Sequence, residues 1–370
     1  MKKNRLLSNI IISVLIGALS GFAAGTISNS YFQKIYDASL GEINFSNGNY
    51  RGSNLVIRDP GKVVVQENDM VQQTLNSVQS SLVGIIDNSK NKIDDKKLSD
   101  FYRADESAGQ GFIMTSDGWI LTNFKIDKSG DYSVVTSDDK IYPIDKIVTD
   151  KLTPFYFIHI SALDLPVRKF ADPTSINTGE TALVANWNGN DIVTSVKNAN
   201  VETHDNLTRS SDGFYTSISL ADNPDGGLVV LDLAGNVIGF NRGGQIEPIY
   251  HLTAAFQSLL TYKEIKRPSL GVNYINYSDL VPLKSTSNLD YKGALIYKDK
   301  SGIAVVSGSS ASAVGLKEGD TILAVDNTNI DQNDNLTDVI QGYNAGDTVM
   351  VTYLRNGVKN QIAVKLGELK

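Results

Sequence analysis

Between Gly109 and Phe240 the sequence alternates short β-rich runs with turn-forming residues, and this spacing limits the fold more than any other feature. Gly118-Trp119-Ile120-Leu121, Tyr132-Ser133-Val134-Val135, Phe155 to Ile160, Ala182-Leu183-Val184-Ala185 and Val237-Ile238-Gly239-Phe240 are each long enough for one strand. Such runs, separated by turns, suit antiparallel barrels. The 31 Gly and the many Thr, Val, Ile and Tyr point the same way. A length of 370 residues fits two or three domains, and 41% hydrophobic with 20% charged residues is ordinary for a globular protein. The expected fold is mainly β.

Helical patterns flank this region. Met70 to Val78 has apolar residues at helical spacing and runs into a strand-like Ser81 to Ile86. Asp87 to Glu106 is highly charged and reads as a surface loop. Ile249 to about Ile265 places Leu252, Ala255, Phe256, Leu259 and Leu260 on one helical face, and Arg267-Pro268 ends it. Asn335 to Tyr343 reads as a short helix capped by Asp334 or Asn335. Gly346 to Tyr353 reads as a late strand.

The N-terminus sets the expected compartment. Lys2, Lys3 and Arg5 precede an uncharged run from Leu6 to Phe32. About twenty apolar residues can cross the hydrocarbon core as a helix. The basic flank predicts a cytoplasmic N-terminus (residues 1–5), a single transmembrane anchor at 6–27 and an extracytoplasmic remainder in a bacterial cell envelope. Ala23-Ala24-Gly25 has the small residues of a cleaved signal peptide, but Phe22 fits poorly two residues before a cut after Ala24. Residues 28–69, with Asn, Ser and Gly clusters, read as a tether. The formal net charge of -7 argues against a nucleic-acid partner. The chain has no Cys, which excludes disulfides and thiolate metal sites.

Gly109-Gln110-Gly111-Phe112-Ile113-Met114-Thr115-Ser116-Asp117-Gly118-Trp119-Ile120-Leu121-Thr122-Asn123 resembles the first-barrel signature of the HtrA/DegP family of trypsin-like serine proteases. The resemblance implies two six-stranded barrels, split near Ala171-Asp172-Pro173, over residues 70–265. In the family a catalytic His follows Leu-Thr-Asn after one residue; here that position is Lys125. Thr153-Pro154-Phe155-Tyr156-Phe157-Ile158-His159-Ile160 matches the motif of the orienting Asp, and puts Pro154 there. The nucleophile motif reads Asn223-Pro224-Asp225-Gly226-Gly227, with Gly226 or Asp225 at the Ser position depending on the direction of counting. A serine hydrolase needs a base that gains and loses a proton near neutral pH and a group to orient it. With all three replaced, the expectation is a pseudoprotease.

Residues 266–370 resemble a PDZ domain. Gly315-Leu316-Lys317-Glu318-Gly319-Asp320-Thr321-Ile322-Leu323-Ala324-Val325-Asp326 matches its strongest signature, and Ser269-Leu270-Gly271-Val272 matches the carboxylate-binding loop. The resemblance implies capture of a peptide C-terminus as an added strand. Ser269, Leu270, Gly271 and Val272 would take the carboxylate, and Leu336, Val339 and Ile340 would shape the pocket. Polypeptide clients, the membrane and other HtrA-type subunits in a homo- or hetero-trimer are the implied partners. No cofactor is implied. His159, His204 and His251 lack zinc-site spacing, and Asp222 to Gly227 lacks the spacing of a calcium loop and reads as a turn. Two rival expectations remain. One is an active endopeptidase with Lys125 as base for Ser195, Ser217 or Ser219; the other is an inert scaffold. An ion pair of Lys125 with Asp225 across the vacated site is also expected.

Overall fold

The computed structural model describes residues 61–89, 107–202, 206–222, 226–280, 292–331 and 334–370, with side chains from residue 67 onward. The chain divides into two compact units, 1–60 and 61–370, and the second holds every described element. The anchor at 6–27, most of the tether, the loop 90–106, His204 and Asp225 lie outside the described residues. Among the described residues, no helix is long and apolar enough to cross a membrane.

The first helix, α1 (Gly61–Val78), starts earlier than the expected Met70. Pro60 precedes it and neither Gly nor Pro falls between Lys62 and Val78, so nothing local stops the helix before Gly61. Its residues 61–69 fall within the stretch read as the tether. Six strands follow: β1 (Leu82–Asp87), β2 (Gly109–Ile113), β3 (Trp119–Thr122), β4 (Tyr132–Thr136), β5 (Ile141–Thr149) and β6 (Tyr156–Ile160). They close into a barrel in the order β1-β2-β3-β6-β5-β4. After the link 161–180 come β7 (Thr181–Ala185), β8 (Ile192–Glu202), β9 (Arg209–Ser210), β10 (Thr216–Leu220), β11 (Val229–Leu231), β12 (Val237–Asn241) and β13 (Ile246–Pro248). All of these except β9 close a second barrel, ordered β10-β13-β12-β11-β7-β8.

Strand alternation sorts the apolar residues between two kinds of core. Ile120 of β3 and Ile158 of β6 fill the first barrel's interior, and Val184 of β7 and Ile238 of β12 fill the second's. Their neighbours Trp119, Leu121, Phe157, Leu183, Ala185 and Val237 point the other way, into a core shared by both barrels. Val78 of α1 joins that core. So do Leu252, Ala255, Phe256 and Leu259 of α2 (Ile249–Tyr262), four of the five residues expected on its apolar face; the fifth, Leu260, is exposed. α2 ends at Tyr262, before Ile265, because Lys263 adopts a left-handed conformation with φ 59° and its N–H bonds back to Leu259.

The C-terminal region contains β14 (Pro268–Ser269), β15 (Asn273–Asn276), β16 (Ala294–Ile296), α3 (Ser310–Ala313), β17 (Thr321–Val325), β18 (Thr328–Asn329), α4 (Leu336–Gln341), β19 (Thr348–Arg355), β20 (Val358–Lys365) and β21 (Gly367–Glu368). Its main sheet runs β20-β19-β17-β16-β15 and then takes β9, from the second barrel's long connection, as its edge strand. Asn335 caps α4, its side chain accepting from the Asp338 N–H at 2.9 Å.

Candidate functional site

The three positions that the resemblance aligns with a catalytic triad, Lys125, Pro154 and Gly226, lie on exposed connections. Lys125 follows β3, and its ammonium lies 3.0 Å from Asp127 with 72% of the side chain exposed. The hydrogen bond and charge of Asp127 raise its pKa above the ordinary 10.5, away from what a general base requires. The expected partner Asp225 is outside the described residues, so the ion pair present is the one with Asp127. Pro154 is exposed on the β5–β6 connection. The carboxylate nearest to it in sequence, Asp150, is buried and committed elsewhere. It accepts from Thr153 Oγ1 at 2.7 Å and from Arg267 Nε at 2.9 Å. Ser217 is buried in β10, and Lys125 pairs with none of Ser195, Ser217 and Ser219 among the described residues.

Gly226 is exposed, and its carbonyl accepts from Asn241 Nδ2 at 3.0 Å. The Asn241 carbonyl in turn accepts from Asn123 Nδ2 at 3.0 Å, which ties the two barrels together across the cleft. A Cβ at Gly226 would meet only Asn186 Oδ1, at 3.5 Å, so a side chain there is sterically allowed. Gly227 differs. Its φ is +82°, and a Cβ would lie 2.5 Å from Val184 Cγ1, so the turn requires glycine. Beside these residues a cleft of about 370 Å³ is lined by Gln110, Asn123, Phe124, Asn186 and Trp187, among others. Gln110 is already engaged, its Oε1 accepting from the Trp187 N–H at 2.9 Å. The lining offers amides and aromatic faces but no nucleophile paired with a base.

The second site is the groove between β15 and α4. Leu270 and Val272 are fully buried, and Gly271 has a φ of +79° with Ser309 Cβ only 2.3 Å from where its own Cβ would be. The loop thus turns its amides outward, as an anion nest requires. Of the three residues expected to shape the pocket, Leu336 and Ile340 are completely buried in the domain's core, and only Val339 is partly exposed. The same short helix also buries Thr337 and Gln341. Thr337 reaches the groove instead, its Oγ1 donating to the Ser210 carbonyl at 2.9 Å. The groove holds β9, and the loop amides are met by Ser211 and Asp212. Neither residue carries a motif, so sequence reading passed over both.

His251, also unassigned from the sequence, links the two sites. It is buried on α2, with Nδ1 2.5 Å from Glu247 Oε1 and Nε2 3.2 Å from Thr216 Oγ1 and 3.3 Å from Asp338 Oδ1 on α4. Phe214 stacks on the ring at a centroid distance of 3.9 Å, and Arg242 Nε lies 3.1 Å from Glu247 Oε2. Burial opposes the imidazolium most strongly, but the bonds and charges of Asp338 and Glu247 outweigh it, and the pKa is raised above the ordinary 6.5. A raised folded value stabilises the fold fully below about 6.5, and the contribution is lost as pH climbs through that raised value. The stability gap between wild type and His251→Gln should therefore narrow over that window. Urea midpoints measured from pH 5.5 to 9 check it, and a gap that widens with pH overturns the protonated assignment.

Comparison with known proteins agrees with this architecture. The PDZ domain family model matches residues 268–366. The chain is 24% identical over 396 residues to "Serine protease Do-like HtrA" of Lactococcus lactis subsp. cremoris (strain MG1363), covering 95% of this chain and 94% of that protein. It is 25% identical to the protein of the same description from Bacillus subtilis (strain 168), covering 82% and 74%. Identity is also 25% to "Probable periplasmic serine endoprotease DegP-like" of Chlamydia pneumoniae, covering 70% of this chain and 55% of that protein. The solved structure "HtrA-type protease AlgW with tripeptide" superposes with a TM-score of 0.56 at 20% identity, over 81% of this chain and 97% of that one. By barrel pair, domain order and curated relatives, the chain is similar over most of its length to the HtrA/DegP family of trypsin-fold serine proteases that carry a C-terminal PDZ domain.

Proposed function

We propose that this chain is a membrane-anchored, extracytoplasmic HtrA-like pseudoprotease that binds unfolded or C-terminally exposed polypeptides in envelope protein quality control. The observation that carries the reading is the state of Lys125, the residue at the base position. It is exposed, paired with Asp127 and raised in pKa, while Pro154 stands at the orienting position and the glycine at 226 has no side chain. A base held protonated cannot take a proton from a hydroxyl at neutral pH, and removal of triad members leaves only residual catalysis. Peptide binding is supported by the PDZ match and by neighbours described as holding a tripeptide or a decapeptide. The extracytoplasmic setting is supported by the basic flank and apolar run at the N-terminus, and by relatives described as periplasmic. Assembly with HtrA-type subunits, in a homo- or hetero-trimer, follows from the same family reading.

The test is cleavage of casein by the full chain in detergent, beside an intact family protease, with fluorophosphonate labelling as a second readout. Neither cleavage nor labelling above background is expected. Gly226→Ser, which the turn accommodates, should also remain unlabelled, since it restores a hydroxyl without a base. Labelling of the wild-type chain on a serine would overturn the pseudoprotease reading.

A further inference from the structure

The PDZ groove of this chain is occupied by the chain itself. We infer that Arg209–Asp212 is a built-in ligand which a client C-terminus must displace, so that the peptide groove is gated in cis. This rests on the reading of the PDZ domain as a peptide binder.

The geometry of the occupant is that of a bound peptide. β9 pairs antiparallel with β15, with Arg209 opposite Tyr274 and Ser210 opposite Asn273. The next residue continues the ladder, the Ser211 N–H donating to the Val272 carbonyl at 2.8 Å. The segment therefore runs toward the Leu270–Val272 loop, the direction in which an added strand delivers its C-terminus to such a loop. At that end the Asp212 side chain supplies the carboxylate. Its Oδ1 accepts from the Leu270 N–H at 3.0 Å and the Gly271 N–H at 3.2 Å, and its Oδ2 accepts from Ser269 Oγ at 2.5 Å. Ser211 Oγ accepts from the Gly271 and Val272 N–H groups at 3.2 and 3.1 Å and donates to Asp212 Oδ1 at 2.7 Å. All three loop amides are thus satisfied by an internal segment. An internal segment has no terminal carboxylate, so a side chain takes its place. The chain then turns back, and Tyr215 Oη accepts from the Ser210 N–H at 2.9 Å.

The other end is tied down by charge. The buried Arg209 guanidinium pairs with Glu202 at the end of β8 and with Asp279 of the PDZ domain, the latter at 2.7 Å. The occupant nevertheless leaves part of the groove's binding potential unused. Ser210 and Ser211 bring hydrogen bonds and no apolar side chain. A client ending in an apolar residue brings its own carboxylate and, in addition, apolar surface to bury. Competition of this kind lowers the apparent affinity for the client by the fraction of molecules with an open groove.

The test uses the full chain in detergent. The probe is a fluorescein-labelled pool of octapeptides, randomised at the last three positions and ending in a free carboxylate, with the amidated pool as control. Asp212→Ala removes the carboxylate stand-in and should bind the pool about tenfold or more tightly than wild type. A second variant, Ser210→Cys with Asn273→Cys, closes the gate covalently. The chain has no other Cys. The Ser210 and Asn273 N–H groups bond to Tyr215 and Ala304 rather than to each other, which makes this the close, non-hydrogen-bonded type of cross-strand pair. Oxidised, this variant should not bind; reduced, it should recover binding. Equal binding of the free-carboxylate pool by wild type, Asp212→Ala and the oxidised pair would overturn the gate and leave the peptide-binding reading standing. Failure of every form to prefer the free-carboxylate pool over the amidated one would overturn both.

Discussion

Arg267→Ala is expected to lower the stability of the barrel and PDZ assembly by about 3–5 kcal/mol, because it leaves the buried Asp150 carboxylate without its counter-ion. Both side chains of the pair are almost completely shielded from solvent. Arg267 Nε donates to Asp150 Oδ1 at 2.9 Å and Nη2 to Oδ2, while Nη1 donates to the His251 carbonyl at 2.9 Å. The guanidinium also lies over the Phe214 ring, 5.1 Å from its centroid. One residue therefore fastens the first barrel's β5–β6 connection, the closing helix α2 and the connection that carries β9, just where the chain enters β14. Replacing both partners with apolar residues, Asp150→Leu with Arg267→Met, removes the charges together and should cost far less than either single alanine. Urea midpoints of Asp150→Leu, Arg267→Met and their double complete a cycle. Additive losses, with no coupling, would mean that the pair contributes only packing.

The double barrel and the PDZ domain were legible because their signals are local. Trp119, Ile120 and Leu121 alternate within one strand, and Gly315 to Asp326 is a continuous motif, so each can be recognised without its neighbours. Lys125 and Pro154 were read as triad positions on the same kind of signal, lying at fixed offsets from local motifs. The self-occupied groove was not legible. Arg209, Ser211 and Asp212 sit in a polar connection with no period, and their partners lie in another domain. Glu247 and His251 are four residues apart but lie on β13 and α2, and Asp338 meets them only after folding. Helical spacing put Leu336 and Ile340 on a common face without saying whether that face looks at a ligand or a core; in the structure both are buried. The early start of α1 was missed because Val63-Val64-Val65 is a poor helical run by propensity alone, and that preference is weak.

Phe240→Ala should cost about 3–5 kcal/mol, the range for removing a fully buried aromatic side chain without refilling its space. Phe240 belongs to the second barrel, yet its ring packs edge-on against Phe112 at 5.6 Å and Phe155 at 6.0 Å, both from the first. The cavity would open in the shared core, so amide hydrogen exchange should quicken in both barrels. Ile160→Val, inside the first barrel alone, should cost about 0.5–1.5 kcal/mol and quicken exchange mainly there. Quickening confined to the second barrel in Phe240→Ala would refute the idea that one core holds both. The next residue, Asn241, joins Gly226 to Asn123 across the cleft, so the cleft's outline depends on the same packing. Lys125, Pro154 and Gly226 stand outside that core, and all three are exposed. On the proposed reading of these as the triad positions, substitution there would remove catalytic chemistry at little cost to folding, so the shape of a protease can persist without its triad.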